Sequence, residues 1–255
     1  MKNRDELIQD IENLPKFEQK SVASMSRENG FWIVDETKKV ITEKNKKEIL
    51  ALVSNKYRLL QFEEVYSKIL KEFDDLNGFI RYYHGKGVLV IYPKLDEFEI
   101  KEENFKGRIG LLITNSVDKS SAVNIMFVVN HGNYSILIPD KKRFRALHIE
   151  NIERILAGYG SFVADIKMIW KTIVNKLRNR FLDEEEINNL FKNLRIGKKM
   201  RKEINEEIED GNLWGLFIAL VEKISRKDYK NKINQIEKLK KISQECCMFA
   251  AVEEI

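Results

Sequence analysis

The stretch GRIGLLITNSVDKSSAVNIMFVVNHGNYSILIPDKKRFR, residues 107–145, decides the fold. Its apolar, β-branched runs Arg108–Asn115, Ala122–Asn130 and Tyr134–Pro139 are separated by polar turns, the last two runs by His131-Gly132-Asn133. Such runs read as strands, and connections this short leave no room for crossovers, so the order predicts an antiparallel meander. The meander empties into the basic cluster Lys141-Lys142-Arg143-Phe144-Arg145. Cations delivered to one sheet edge suit a polyanion; the same charges also serve as a solubilising rim.

Working upstream, Phe79–His84 and Gly87–Tyr92 flank Gly85-Lys86, a tight hairpin turn. The acidic segment Pro93–Lys106 reads as an exposed insertion. Phe62, Val65, Tyr66, Ile69, Leu70 and Phe73 recur at helical spacing up to Asn77-Gly78. Lys44–Val53 reads as a short helix. Phe31-Trp32-Ile33-Val34 reads as a short strand or an apolar anchor, and 16–30 as polar and irregular. Leu7, Ile8, Ile11 and Leu14 predict a helix from Arg4, closed by Pro15.

Downstream of Leu147 the period is helical throughout. Val163, Ile166, Ile169, Trp170, Ile173, Leu177 and Phe181 form one predicted buried stripe. Lys167, Lys171, Asn175 and Arg178 share another face. Asp183-Glu184-Glu185-Glu186 predicts an acidic first turn, where the helix dipole favours anions. Lys198–Ile208, Leu213–Ile224 and Lys230–Phe249 complete the helices. The fold class is therefore α+β: an antiparallel β-meander packed with helices, followed by a helical C-terminal half. The expected division is an arm over 1–40 with a short helix, an α+β core over 41–182 and a helical region over 183–255.

With 255 residues, 43% hydrophobic and 33% charged, the chain is long and apolar enough for a sizeable core. The net charge of +5 permits nucleic-acid contact without demanding it. Residues 81–146 carry eleven Lys and Arg against seven Asp and Glu, whereas 1–80 carry fourteen against fifteen. That contrast places the expected polyanion surface on the strand block. Two adjacent cysteines, Cys246 and Cys247, cannot build a disulfide framework and read as small buried apolar residues. With no signal-like segment at Met1–Leu14, the expected location is cytoplasmic. No apolar run is long enough to span a bilayer, so no membrane is expected.

Catalytic and cofactor signatures are lacking. His84, His131 and His148 have no ligand-spaced partner, so neither metal nor other cofactor is expected. Gly85-Lys86-Gly87 is too short for a dinucleotide fingerprint, and Ile196-Gly197-Lys198-Lys199 lacks the upstream glycine and the hydroxyl residue of a P-loop. Glu97 and Glu99 near Lys101, or Asp118, are the carboxylates a cryptic metal-dependent nuclease would use. The basic groups are more suggestive: Lys141, Lys142, Arg143 and Arg145, extended by Lys167, Lys171 and Arg178, with Lys198, Lys199, Arg201 and Lys202 on a later helix. Such arrays bind phosphates, and aromatics such as Tyr82, Tyr83 and Phe144 can stack on unpaired bases.

Several motifs resemble, in order, the phage/plasmid-like family of domains found on mobile elements. They are Asn55-Lys56-Tyr57-Arg58-Leu59-Leu60-Gln61 and Leu111-Leu112-Ile113-Thr114-Asn115-Ser116, the latter followed by Asp118 and Ser121. Arg145-Ala146-Leu147-His148 and Gly211-Asn212-Leu213-Trp214-Gly215-Leu216-Phe217-Ile218-Ala219-Leu220 complete the set. The family's R-x-x-C-x-N-G segment is replaced here by Val128-Val129-Asn130-His131-Gly132. The resemblance implies a mobile-element origin. The order of helix, meander and long helix is also similar to phage annealing proteins of the Red-beta and Erf kind, a fold-level analogy. It implies a non-enzymatic, homo-oligomeric binder of single-stranded nucleic acid, a DNA-annealing or recombination factor. The alternative is an interaction module that inhibits or recruits a host protein through Phe31-Trp32 or the 93–106 insertion.

Overall fold

A computed structural model describes residues 1–25, 30, 32–93, 97–100, 105–117, 123–131, 134–138, 144–146, 152, 156–157, 159–208, 211–226 and 232–251. Among them are eleven strands and seven helices, and the fold is α+β with antiparallel sheets and a helical C-terminal half. No helix among the described residues is long and apolar enough to cross a membrane. The chain divides into two compact units. The first comprises Met1–Pro93, Leu111–Ile125 and Arg143–Ala157; the second comprises Lys94–Gly110, Met126–Lys142 and Gly158–Ile255.

In the first unit, β1 (Lys2–Asn3) leads into α1 (Arg4–Glu12). Asn3 caps α1, accepting from the Glu6 amide while the Glu6 carboxylate accepts from the Asn3 amide. A three-stranded sheet follows, β2 (Phe17–Met25), β3 (Trp32–Glu43) and β4 (Ile49–Ser54), in the order β2-β3-β4. Two expectations are corrected here: 16–30 contains a strand rather than irregular chain, and 44–53 yields β4 rather than a helix. Ile49-Leu50-Ala51-Leu52-Val53 is a short apolar run with no resolvable period, and pairing with β3 decides its state. Of the candidate strand at Phe31–Val34, Trp32–Val34 begins the much longer β3, and Phe31 lies outside the described residues.

Helix α2 (Phe62–Lys71) buries Phe62, Val65, Tyr66, Ile69 and Leu70, as its periodicity predicts. Gln61, just before it, clamps β2: its side-chain amide donates to the Phe17 carbonyl at 2.9 Å and accepts from the Phe17 amide at 3.0 Å. The hairpin β5 (Leu76–Tyr83) and β6 (Lys86–Pro93) turns on His84 and Gly85, not on Gly85-Lys86. Both turn residues are left-handed, φ 42° and 74°, which matches the twist of a two-residue hairpin loop. Asn77-Gly78 lies inside β5 rather than stopping a helix, and β1 pairs across it. A β-carbon on Gly87 would meet the Tyr66 hydroxyl at 2.6 Å and Phe62 ring carbons at 2.8 and 2.9 Å. Only glycine lets α2 lie this close to β6.

The larger sheet runs β1-β5-β6-β8-β9-β10. Its remaining members are β7 (Glu97–Ile100), β8 (Phe105–Ser116), β9 (Val123–His131), β10 (Tyr134–Leu137) and β11 (Phe144–Ala146). Strands β8 and β9 contribute residues to both units. Part of the expected 93–106 loop is strand, since β7 pairs with β8 from Glu97↔Arg108 to Ile100↔Phe105.

In the second unit, α3 (Tyr159–Asn179) buries Val163, Ile166, Trp170, Val174 and Leu177. The expected stripe is thus rotated: Ile169 is 39% exposed, while Val174, absent from it, is buried. Phe181 falls beyond the helix end, is exposed and bridges Asn212. Asp183 caps α4 (Glu184–Asn193) with Glu186 in a reciprocal box, as the acidic run predicts. The helix ends in a Schellman turn, with Arg195 left-handed at φ 51° and the Ile196 amide donating to the Phe191 carbonyl at 2.8 Å. Next come α5 (Lys198–Glu207), α6 (Leu213–Arg226) and α7 (Lys232–Ala251). The core lies where α3 and α7 meet α6, with Trp170 edge-on to Trp214 at 6.1 Å.

On α7, Cys246 is fully buried and both thiols are free. Burial pushes the Cys246 thiol well above its ordinary value, and the Cys247 thiol up to about 12. The thiolate, the reactive form, is therefore scarce near neutral pH. Both cysteines should react with a disulfide reagent at mildly alkaline pH far more slowly than in denatured chain. Rapid native-state reaction of both would show that α7 is not packed as described.

Candidate nucleic-acid interface

The cations expected on the long helix share one stripe. At about 100° per residue, Lys167, Lys171 and Arg178 fall within about 40° of one another. The stripe borders the buried side, so Lys167 and Arg178 are half-buried and Lys171 is exposed. The more exposed side of α3 carries Ala164, Asp165, Met168, Ile169, Thr172 and Asn175, a mixed rather than basic surface. The helix therefore offers a narrow basic line. Of the other expected cations, Lys141, Lys142 and Arg143 lie outside the described residues. Arg145 is placed by its backbone alone, in β11 opposite Asn124.

The α5 group is partly structural. The Arg201 guanidinium donates to the Ile196 carbonyl at 2.8 Å and lies 5.6 Å from the Phe191 ring centre, holding the turn before α5. Lys198, Lys199 and Lys202 remain exposed, and Lys202 approaches Glu206 at 3.9 Å. Glu97 and Glu99 lie in β7; Lys101, Asp118 and His148 are outside the described residues. Among the described residues no group of three His, Cys, Asp or Glu side chains converges.

A different basic surface, in the first unit, emerges from the fold. The turn between β3 and β4 carries Lys44, Lys46 and Lys47, all exposed. It lies beside the β5–β6 hairpin tip, because Lys46 and Glu43 act electrostatically on Tyr82. Burial pushes the Tyr82 phenol up, and the Glu43 carboxylate adds to the rise; the Gly85 amide, donating to its oxygen at 3.1 Å, works against it. The ring is held below by Phe62 at 5.6 Å and Phe17 at 6.3 Å. Next to it Tyr83 is exposed and meets His84 edge-on at 4.4 Å. Lys46 is paired with Glu43 at 2.9 Å, and that hydrogen bond raises its pKa. Lys44 and Lys47 form no ion pair among the described residues. The turn that carries these exposed lysines thus approaches a rigidly based aromatic tip through Glu43 and Lys46.

The sequence alone points to Tyr82 and Tyr83 but not to these lysines. A signal was present: residues 37–58 carry seven basic side chains against two acidic ones. Averaging over 1–80 hid it, because α1 and the segment 63–75 supply the cancelling carboxylates. Comparison with protein-family models, curated proteins and solved structures returns no significant match for this chain.

Proposed function

We propose that this protein binds single-stranded nucleic acid and catalyses no reaction of its own. The supporting observation is the corner of the first unit where the turn carrying Lys44, Lys46 and Lys47 approaches Tyr82 through Glu43 and Lys46, with Tyr83 and His84 next along the hairpin. Lysines there neutralise phosphates and release counterions, and the exposed Tyr83 ring offers a face for an unpaired base. The α3 line of Lys167, Lys171 and Arg178, and the Lys141–Arg145 segment, supply further cations of the same kind. The motif order shared with mobile-element domains supports a role in annealing or recombination, in which repeated subunits hold a strand extended for pairing.

The test is filter binding of a labelled 40-mer across a salt series. Lys44→Glu combined with Lys47→Glu should weaken binding by about tenfold or more at low salt and flatten the log–log salt slope by roughly 1.4, about 0.7 per lost phosphate contact. The loss should be alike for all sequences, because phosphate contacts carry no base information. Arg143→Glu with Arg145→Glu, and Lys167→Glu with Lys171→Glu, measure the other two groups. A wild-type protein that binds neither single- nor double-stranded nucleic acid at low salt ends this reading. The host-protein interaction module then takes its place.

A further inference from the structure

We propose that Arg81 and Tyr83, on the outer face of β5, form a slot that takes one unpaired base, an inference that rests on the nucleic-acid reading above. Strand β5 sends alternate side chains to opposite faces. Gly78, Ile80 and Tyr82 face the helices: Tyr82 meets Phe62 and Phe17, and a β-carbon on Gly78 would meet Leu7 at 3.2 Å. Phe79, Arg81 and Tyr83 take the other face. There Arg81 is exposed, Tyr83 is 40% exposed and Phe79 is half-buried. Strand β1 pairs with β5 only at Asn77 and Gly78, so among the described strands this end of β5 is paired to β6 alone.

Alternate residues on one face of a strand stand roughly 7 Å apart. That interval admits one flat base, with contacts of roughly 3.5 Å on either side. Both bounding groups are held from their far sides. The Arg81 guanidinium lies back over the Phe79 ring, 5.4 Å from its centre, and donates to the Ile80 carbonyl at 2.8 Å. Tyr83 meets His84 edge-on at 4.4 Å, on the turn side. Groups braced in this way lose less freedom when a ligand enters between them. The register sets Val88, 1% exposed, across from Arg81, so an apolar neighbour borders the slot on β6.

The charge pattern selects the occupant. The hairpin Leu76–Pro93 contains no Asp or Glu in eighteen residues, although the chain carries 40 in 255. Among the described residues Arg81 forms no ion pair, and its guanidinium keeps further N–H groups for an acceptor. The carboxylate that acts on Tyr82, that of Glu43, does so on the other face and is paired with Lys46 at 2.9 Å. A guanidinium without a carboxylate, set between aromatic rings, suits a flat ring carried on an anionic chain. An acidic peptide would answer the charge and leave the interval between the planes unfilled. Bases in a duplex are stacked on their neighbours and cannot enter. The slot therefore supplies a preference for single strands that lysines, which contact phosphate alone, do not.

Two probes test this on the full chain: an ordinary single-stranded 40-mer, and a 40-mer of the same sugar-phosphate backbone without bases. The wild type should bind the first about tenfold more tightly, the order of one base stacked on protein. Arg81→Lys, which keeps the charge and loses the plane, should remove most of that difference, and so should Tyr83→Ala. Both variants should bind the base-free 40-mer as the wild type does, with the same salt slope, because no phosphate contact is lost. Their far-UV circular dichroism should match the wild type. A wild type that binds the two probes equally, or variants that keep the full difference, would overturn the slot and leave the phosphate contacts standing. An Arg81→Lys variant weakened alike on both probes would make Arg81 a phosphate contact, which also overturns it. A wild type that binds neither probe ends the nucleic-acid reading and the slot together.

Discussion

Trp170→Ala is expected to lower the free energy of unfolding by about 3–5 kcal/mol, the range for deleting a large aromatic side chain from a packed core. Trp170 is 1% exposed and is the largest fully buried side chain in the described chain. It lies on the side of α3 that also buries Ile166, Val174 and Leu177, and its ring meets Trp214 edge-on at 6.1 Å. Trp214 in turn packs against Phe217 at 5.8 Å, so the cavity opens among large rings on α6 that have few ways to close it. Denaturant unfolding should show a lower midpoint with an unchanged slope. A loss below about 1 kcal/mol would mean that α3 is rotated away from the described phase.

Phe62→Ala should cost a similar amount, about 3–5 kcal/mol, in the first unit. Phe62 is fully buried at the start of α2, edge-on to Phe17 at 5.4 Å and to Tyr82 at 5.6 Å, and stacked on Tyr66 at 5.8 Å. Each ring pair adds about 0.5–1.5 kcal/mol beyond area burial, and one truncation removes all three. Gly87, with no side chain, leaves room for this ring. The substitution also has a functional readout, because Phe62 is the base on which Tyr82 rests. Affinity for a single-stranded 40-mer should fall even where the variant is fully folded. Unchanged affinity in a destabilised variant would separate Tyr82 from the binding surface.

The elements that were legible in the sequence are those whose own residues settle their state. Helix α2 has a complete apolar face, α4 carries its capping box in Asp183 and Glu186, and the β5–β6 hairpin announces its turn with glycine. The misread ones depend on partners distant in sequence. Phe17–Met25 has no period of its own and becomes a strand because Gln61 and β3 hold it. Ile49–Val53 fits either period until β3 arrives beside it. Ile169 illustrates a subtler loss: the apolar stripe is wider than the buried sector, so the sequence permits two phases and the packing of Trp170 and Val174 selects one. The candidate interface was half legible, as aromatics without their lysines. Only the fold brings the 44–47 turn to the 82–84 tip.

The sharing of β8 and β9 between the two units bears on how the chain is made. A ribosome releases residues in order, yet the first unit needs Leu111–Ile125 and Arg143–Ala157 as well as everything up to Pro93. At about 5–20 residues per second, the segment up to Pro93 waits several seconds for the strands that complete it. During that interval β6, whose Val88–Ile91 side chains are all buried in the finished fold, lacks its β8 neighbour. Nascent chains stalled before Leu111 should therefore be held by chaperones, and those stalled well past Ala157 released. An expression fragment ending between Pro93 and Leu111 should be insoluble, because it ends on an apolar strand with an open edge.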